Sequence, residues 1–163
     1  MSTSLRWALI AFVALCTSFT TWYALFNPEF AGGNRIYMGT GILLYAGCVF
    51  VSMYLTKKRS ENPIDYKGIL QAGLRTAIIA LVVYSIYHYL YLRYINPEII
   101  DSLIANRIES IKFLGLPEAE ESQRIADVEA QITPFKKVNL DLLRLLFIGS
   151  LSSFFGAFIV HKF

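Results

Sequence analysis

The chain has 163 residues, of which 55% are hydrophobic and 17% charged, with a net charge of +3. A soluble domain is typically about 45–50% apolar and about 25% charged, so this composition argues against an ordinary water-soluble domain and for a bilayer. The few cations sit in loops and helix ends rather than along one face, which gives no ground for a nucleic-acid partner, and the length fits a single membrane domain over 1–163.

A bilayer core needs roughly 20 apolar residues as a helix, and four stretches approach that length. The first, 7–26, lies between Arg6 and Asn27-Pro28. It outruns the usual h-region of a signal peptide, ends in no A-x-A site, and has Leu15 where a lipoprotein box needs a small residue, so it is expected to stay in the membrane. The second, 36–56, runs from Arg35 to Lys57-Lys58-Arg59 and, like the first, contains no charge. Cys16 and Cys48 fall inside these apolar runs and are expected to be small buried hydrophobes. The third, 70–94, has an uncharged core at 76–92 between Arg75 and Arg93. The fourth, 140–160, is cleanest at 145–160, between Arg144 and His161-Lys162. The expected fold is therefore all-α and integral to the membrane: four transmembrane helices as two helical hairpins, with an extracytoplasmic helical insertion at 97–133.

Lys57, Lys58 and Arg59 beside the second span place the second loop and both termini in the cytoplasm by the positive-inside rule. The raw count is a tie, with seven basic residues on that side and eight on the other, so the density of this cluster decides it. Arg6 and Arg75 are expected to anchor the inner interface with it. An offset of 69 residues aligns Leu5-Arg6 with Leu74-Arg75, four apolar positions of the first span with the third, and Asn27-Pro28-Glu29 with Asn96-Pro97-Glu98. Nine identities in 25 ungapped positions point to a duplicated hairpin. Asn-Pro-Glu itself reads as a helix start, with Asn as cap, Pro in the first turn and Glu at the positive dipole end.

In the insertion, Ile99, Ile100, Leu103, Ile104, Ile108 and Ile111 recur at helical spacing. Gly115-Leu116-Pro117 breaks that helix, and a second begins with Glu118, Glu120 and Glu121 and carries a thinner stripe of Ile125, Val128 and Ile132. The stripes must be covered by each other, by the membrane surface or by a partner protein.

Polar groups near spans are functional candidates. His88 stands among Tyr84, Tyr87 and Tyr91 near the end of the third span. The plain expectation is an interfacial aromatic belt; the sharper one is a pocket for a lipid headgroup or a proton. Lys137–Asp141 and Asp141–Arg144 have the spacing of helical ion pairs, with a solvated helix end as the plain expectation. A polar cluster of His88, Arg93, Asp141 and Arg144 is the candidate site. Small residues mark helix contacts: Gly73 and Ala77 on the third span, with Ala72, Thr76 and Ala80 on another face, and Gly149, Ser153 and Gly156 on the fourth. No catalytic motif, metal-ligand spacing or cofactor motif is evident.

The segment Asp65-Tyr66-Lys67-Gly68 with Gln71-Ala72-Gly73, then Tyr94-Ile95-Asn96-Pro97-Glu98, an acidic outer helix and a final His161-Lys162, resembles the bacterial membrane family catalogued as domain of unknown function 4199. Ile69 stands nearest to where that family tends to carry an entry phenylalanine. The resemblance implies a four-span inner-membrane protein of Bacteroidetes-type bacteria, with no established activity and no catalytic residues to carry over, and it hints at a membrane glycosyltransferase as neighbour. The preferred expectation is a non-enzymatic accessory or structural subunit of an inner-membrane complex, in contact with lipids and with another membrane protein or further copies of itself. The rival is a small transporter or lipid-binding protein; a lipid-modifying enzyme ranks below both.

Overall fold

Short polar side chains set several helix starts by taking up backbone N–H groups that have no partner within the helix. In the computed structural model, which describes residues 2–25, 34–61 and 63–163, Ser2 accepts from the Leu5 N–H ahead of α1 (Thr3–Leu25). Asp65 accepts from the Gly68 N–H at 2.9 Å and opens α3 (Tyr66–Leu90). Thr133 accepts from the Lys136 N–H, and Pro134 takes the first position of α6 (Pro134–Lys162), where its missing N–H costs nothing. These caps start α3 and α6 four and six residues before the expected spans at 70 and 140. Between them lie α2 (Asn34–Arg59), α4 (Glu98–Lys112) and α5 (Glu118–Gln131). Among the described residues there is no strand.

Four stretches are long and apolar enough to cross a membrane: Thr3–Thr21, Gly39–Arg59, Tyr66–Ile95 and Pro134–Lys162. The chain divides into two compact units, Met1–Tyr84 with Leu142–Phe163, and Ser85–Asp141. α3 and α6 each contribute to both.

In the first unit, α2 presents Tyr45, Val49 and Met53, all 0% exposed and spaced by about one turn, as a ridge. The groove that receives it is built from missing side chains. A Cβ on Gly73 of α3 would come within 2.6 Å of the Met53 sulfur, and one on Gly156 of α6 would strike the Met53 methyl. A Cβ on Gly149 would strike the Tyr45 hydroxyl and stand 3.1 Å from the Ala77 Cβ. All five residues expected at helix contacts, Gly73, Ala77, Gly149, Ser153 and Gly156, are buried, and so is the other small stripe of α3, Ala72, Thr76 and Ala80. Lipid gives helices no hydrophobic reason to associate, so close backbone approach and interhelical hydrogen bonds must hold them together.

Those bonds concentrate at one end of the unit. Ser52 of α2 and Thr76 of α3 share a buried bond of 2.7 Å, and Ser4 of α1 reaches the Ala72 carbonyl of α3. The Lys57 ammonium donates to the Val160 carbonyl in the last turn of α6 at 2.7 Å, a cation at the negative end of a helix dipole. Tyr66 and His161 meet edge to face. The start of α1, the end of α2, the start of α3 and the end of α6 therefore lie together. Arg6, Lys58, Arg59 and Arg75 are exposed, whereas Lys57 is half-buried because it caps α6.

The outward faces are apolar: Leu43 is 73% exposed, Phe155 67% and Phe147 65%. Water would penalise such a surface, and hydrocarbon accepts it. Burial also follows the 69-residue offset. Ala8 and Ala77, Ala11 and Ala80, and Leu15 and Tyr84 are all buried, while Val13 and Val82 both face out. The Asn27-Pro28-Glu29 copy lies outside the described residues. At the other copy, Pro97 rather than Asn96 stands at the cap of α4, and no side-chain cap bond forms there.

Gly149→Ala is expected to destabilise the protein by about 1–3 kcal/mol through overpacking, while Gly47→Ala, with nothing within 4 Å of the added carbon, leaves stability level or raises it. Unfolding in micelles by titration with dodecyl sulfate measures both. Tyr45→Phe removes a buried hydroxyl that has no hydrogen-bond partner among the described residues and should raise stability in the same assay by about 1 kcal/mol.

Candidate functional site

The second unit contains the end of α3, the α4–α5 hairpin and the first turns of α6. On α6, Lys137 and Asp141 stand one turn apart on the same face, and the Lys137 ammonium donates to the Asp141 carboxylate. The pair is not the solvated helix end that its spacing alone would suggest: the side chains are 22% and 8% exposed. His88 of α3 is 1% exposed, and the charges of both Asp141 and Lys137 act on its imidazole. The structure thus places a buried imidazole and a buried carboxylate within electrostatic reach of each other and of a partly buried ammonium. Arg93 and Arg144, the other members of the expected cluster, are exposed.

The expected aromatic belt separates into inward and outward members. Tyr84 and His88, one turn apart, are both buried, and Tyr84 packs edge to face on Phe19 within the first unit. Tyr87 and Tyr91 lie ring against ring at 5.9 Å, and Tyr94 points outward at 72% exposure. A belt histidine would keep its polar tip in water; burial of His88 removes it from that role.

Beyond His88 the helix changes form. Tyr91–Ile95 is π-helical, and the Asn96 N–H donates to the Tyr91 carbonyl at 2.8 Å, one residue further back than an α-helix allows. Such widened turns are rare and concentrate at functional sites. In this turn Leu92 is buried and Arg93 and Tyr94 are exposed.

α4 and α5 pack against each other. Ile99, Ile100 and Ile111 are buried, while no residue of α5 is. Gly115, at φ +61, ends α4 in a left-handed conformation that favours glycine. A cleft of about 410 Å³ opens between the two helices, floored by Ile111, Leu114 and Val128 and rimmed by Arg107, Arg124 and Asp127. Arg124 pairs with Glu120 at 2.7 Å, both well exposed, and such a pair contributes little to stability.

Chemically, the His88–Lys137–Asp141 group can exchange a proton or hold a polar headgroup. Among the described residues, no group of three or more His, Cys, Asp or Glu is placed to bind a metal ion. The i, i+4 spacing of Lys137 and Asp141 is the sequence signal for their pairing. A family model described as "Protein of unknown function (DUF4199)" matches residues 6–162. Neither a curated protein nor a solved structure matches the chain.

Breaking a buried ion pair from one side strands the remaining charge. Asp141→Leu is expected to cost on the order of 3 kcal/mol, and Lys137→Leu/Asp141→Leu together less than Asp141→Leu alone. A double-mutant cycle on micelle unfolding tests this, and additive losses would show that the two charges do not interact.

Proposed function

We propose, for a chain that belongs to the family described as "Protein of unknown function (DUF4199)", the role of a non-enzymatic accessory or structural subunit of a bacterial inner-membrane protein complex. The observation that carries this reading is the α4–α5 hairpin. It ends in Phe113, 93% exposed, and Leu114, 60% exposed, beside an open apolar-floored cleft. An apolar tip on a hairpin of mixed charge favours a protein contact.

Several finer features belong to the proposal. The gathering of Arg6, Lys57, Lys58 and Arg59 at one end of the four-helix unit supports cytoplasmic termini and an extracytoplasmic hairpin. The matching burial of the first and third spans supports descent from a duplicated helical hairpin. The resemblance read from the sequence makes a membrane glycosyltransferase the first partner to examine; another copy of the chain is the second. A small transporter or lipid-binding protein is the alternative, and the buried His88–Lys137–Asp141 group favours it, since ionisable residues at membrane spans commonly serve ion or substrate paths.

Purification of the tagged protein from native membranes in mild detergent, followed by mass spectrometry and size analysis, should yield a stoichiometric protein partner. A homo-oligomer carrying only lipid would shift the assignment to the alternative, and a lone monomer would count against both forms of assembly.

A further inference from the structure

Residues 98–131, which carry α4 and α5, hold eight acidic and three basic side chains, a net charge of −5 in a chain whose total is +3. The turn between them exposes Phe113 and Leu114, and the next helix opens with Glu118, Glu120 and Glu121. Part of that acidity serves α5 itself, since carboxylates suit the positive end of a helix. The exposed apolar pair has no such local use.

Three covers for the tip are conceivable, and charge separates them. Anionic lipid attracts basic segments, so a hairpin of −5 gains no electrostatic attraction to a bilayer surface. Helices that lie on membranes are usually rich in Lys and Arg, and here acids predominate. A second copy of this chain would present the same acidic hairpin to itself. Within that hairpin the basic side chains are Arg107, Lys112 and Arg124 against eight acids, so hairpin on hairpin sets like charge against like charge.

We infer that Phe113 and Leu114, with Glu118, Glu120 and Glu121 beside them in the chain, dock into an apolar pocket bordered by Lys or Arg on a different protein. The inference rests on the accessory-subunit reading and names the chemistry of its partner.

The test places a photo-reactive benzoylphenylalanine at position 113 of the full-length protein in native membranes. Irradiation should yield one protein adduct whose cross-linked peptide carries Lys or Arg beside apolar residues. The adduct should fall at least about tenfold in the Glu118→Lys/Glu120→Lys/Glu121→Lys variant, because like charges at an interface cost several kcal/mol. Should that variant fail to fold, the unaltered acidic chain still decides the matter, since the adduct should weaken as added salt shortens the screening length. Adducts with lipid, adducts with a second copy, or a protein adduct indifferent to both charge reversal and salt each overturn the inference. A partner that still co-purifies under any of those outcomes leaves the accessory-subunit reading standing. Loss of every partner removes both.

Discussion

The membrane unit depends on how closely four helix backbones approach one another. In lipid, an apolar side chain gains nothing by leaving hydrocarbon for a helix interface. What remains is dispersion between well-fitted surfaces and hydrogen bonds with no water to compete. Gly73, Gly149 and Gly156 supply the fit by leaving room for Met53 and Tyr45 of α2. With the backbones that close, short polar side chains can span from helix to helix, and Ser52 meets Thr76 while Ser4 reaches Ala72. Lys57 can then close the end of α6. A bulkier residue at any of these glycines would loosen the packing on which those bonds depend.

The second unit faces a different problem. Its buried groups include charges, and burying an ion pair seldom adds stability compared with an apolar pair of the same volume. Lys137–Asp141 beside His88 is therefore poorly explained as a device for holding α6 in place. The π-helical turn that follows His88 along α3 and the apolar tip of the α4–α5 hairpin are also expensive features for a purely structural element. Among the described residues of the first unit, no ion pair and no π-helical turn is found. The contacts that join its helices include the Ser52–Thr76 hydroxyl pair, the Ser4 hydroxyl on the Ala72 carbonyl and the Lys57 ammonium on the Val160 carbonyl. Among the described residues, the buried pair, the π-helical turn and the hairpin tip gather within Ser85–Asp141.

The helical class and the existence of four spans were legible in the sequence because a bilayer tolerates little else: about 20 apolar residues without charge can only be a buried or lipid-clad helix. The small residues of α3 and α6 were legible too, since their spacing of four marks one helix face. The break at Gly115-Leu116-Pro117 follows from local chain chemistry in the same way. α3 and α6 begin four and six residues before the expected spans, because hydropathy sees the apolar core and not the polar turn that Asp65 or Thr133 caps.

Tertiary structure alone decided which side chains meet. Spacing put Lys137 and Asp141 on one face of α6, but only packing withdrew them from water and brought their charges to bear on His88, 49 residues or more away in the chain. The same holds for Lys57, which reads as one of three interfacial cations until its partner, a carbonyl 103 residues later, is in place. Arg93 and Arg144 have the chemistry of the expected cluster and stay exposed. Helical periodicity is a local property and survives in the sequence, whereas burial of a charge depends on what the rest of the chain places over it.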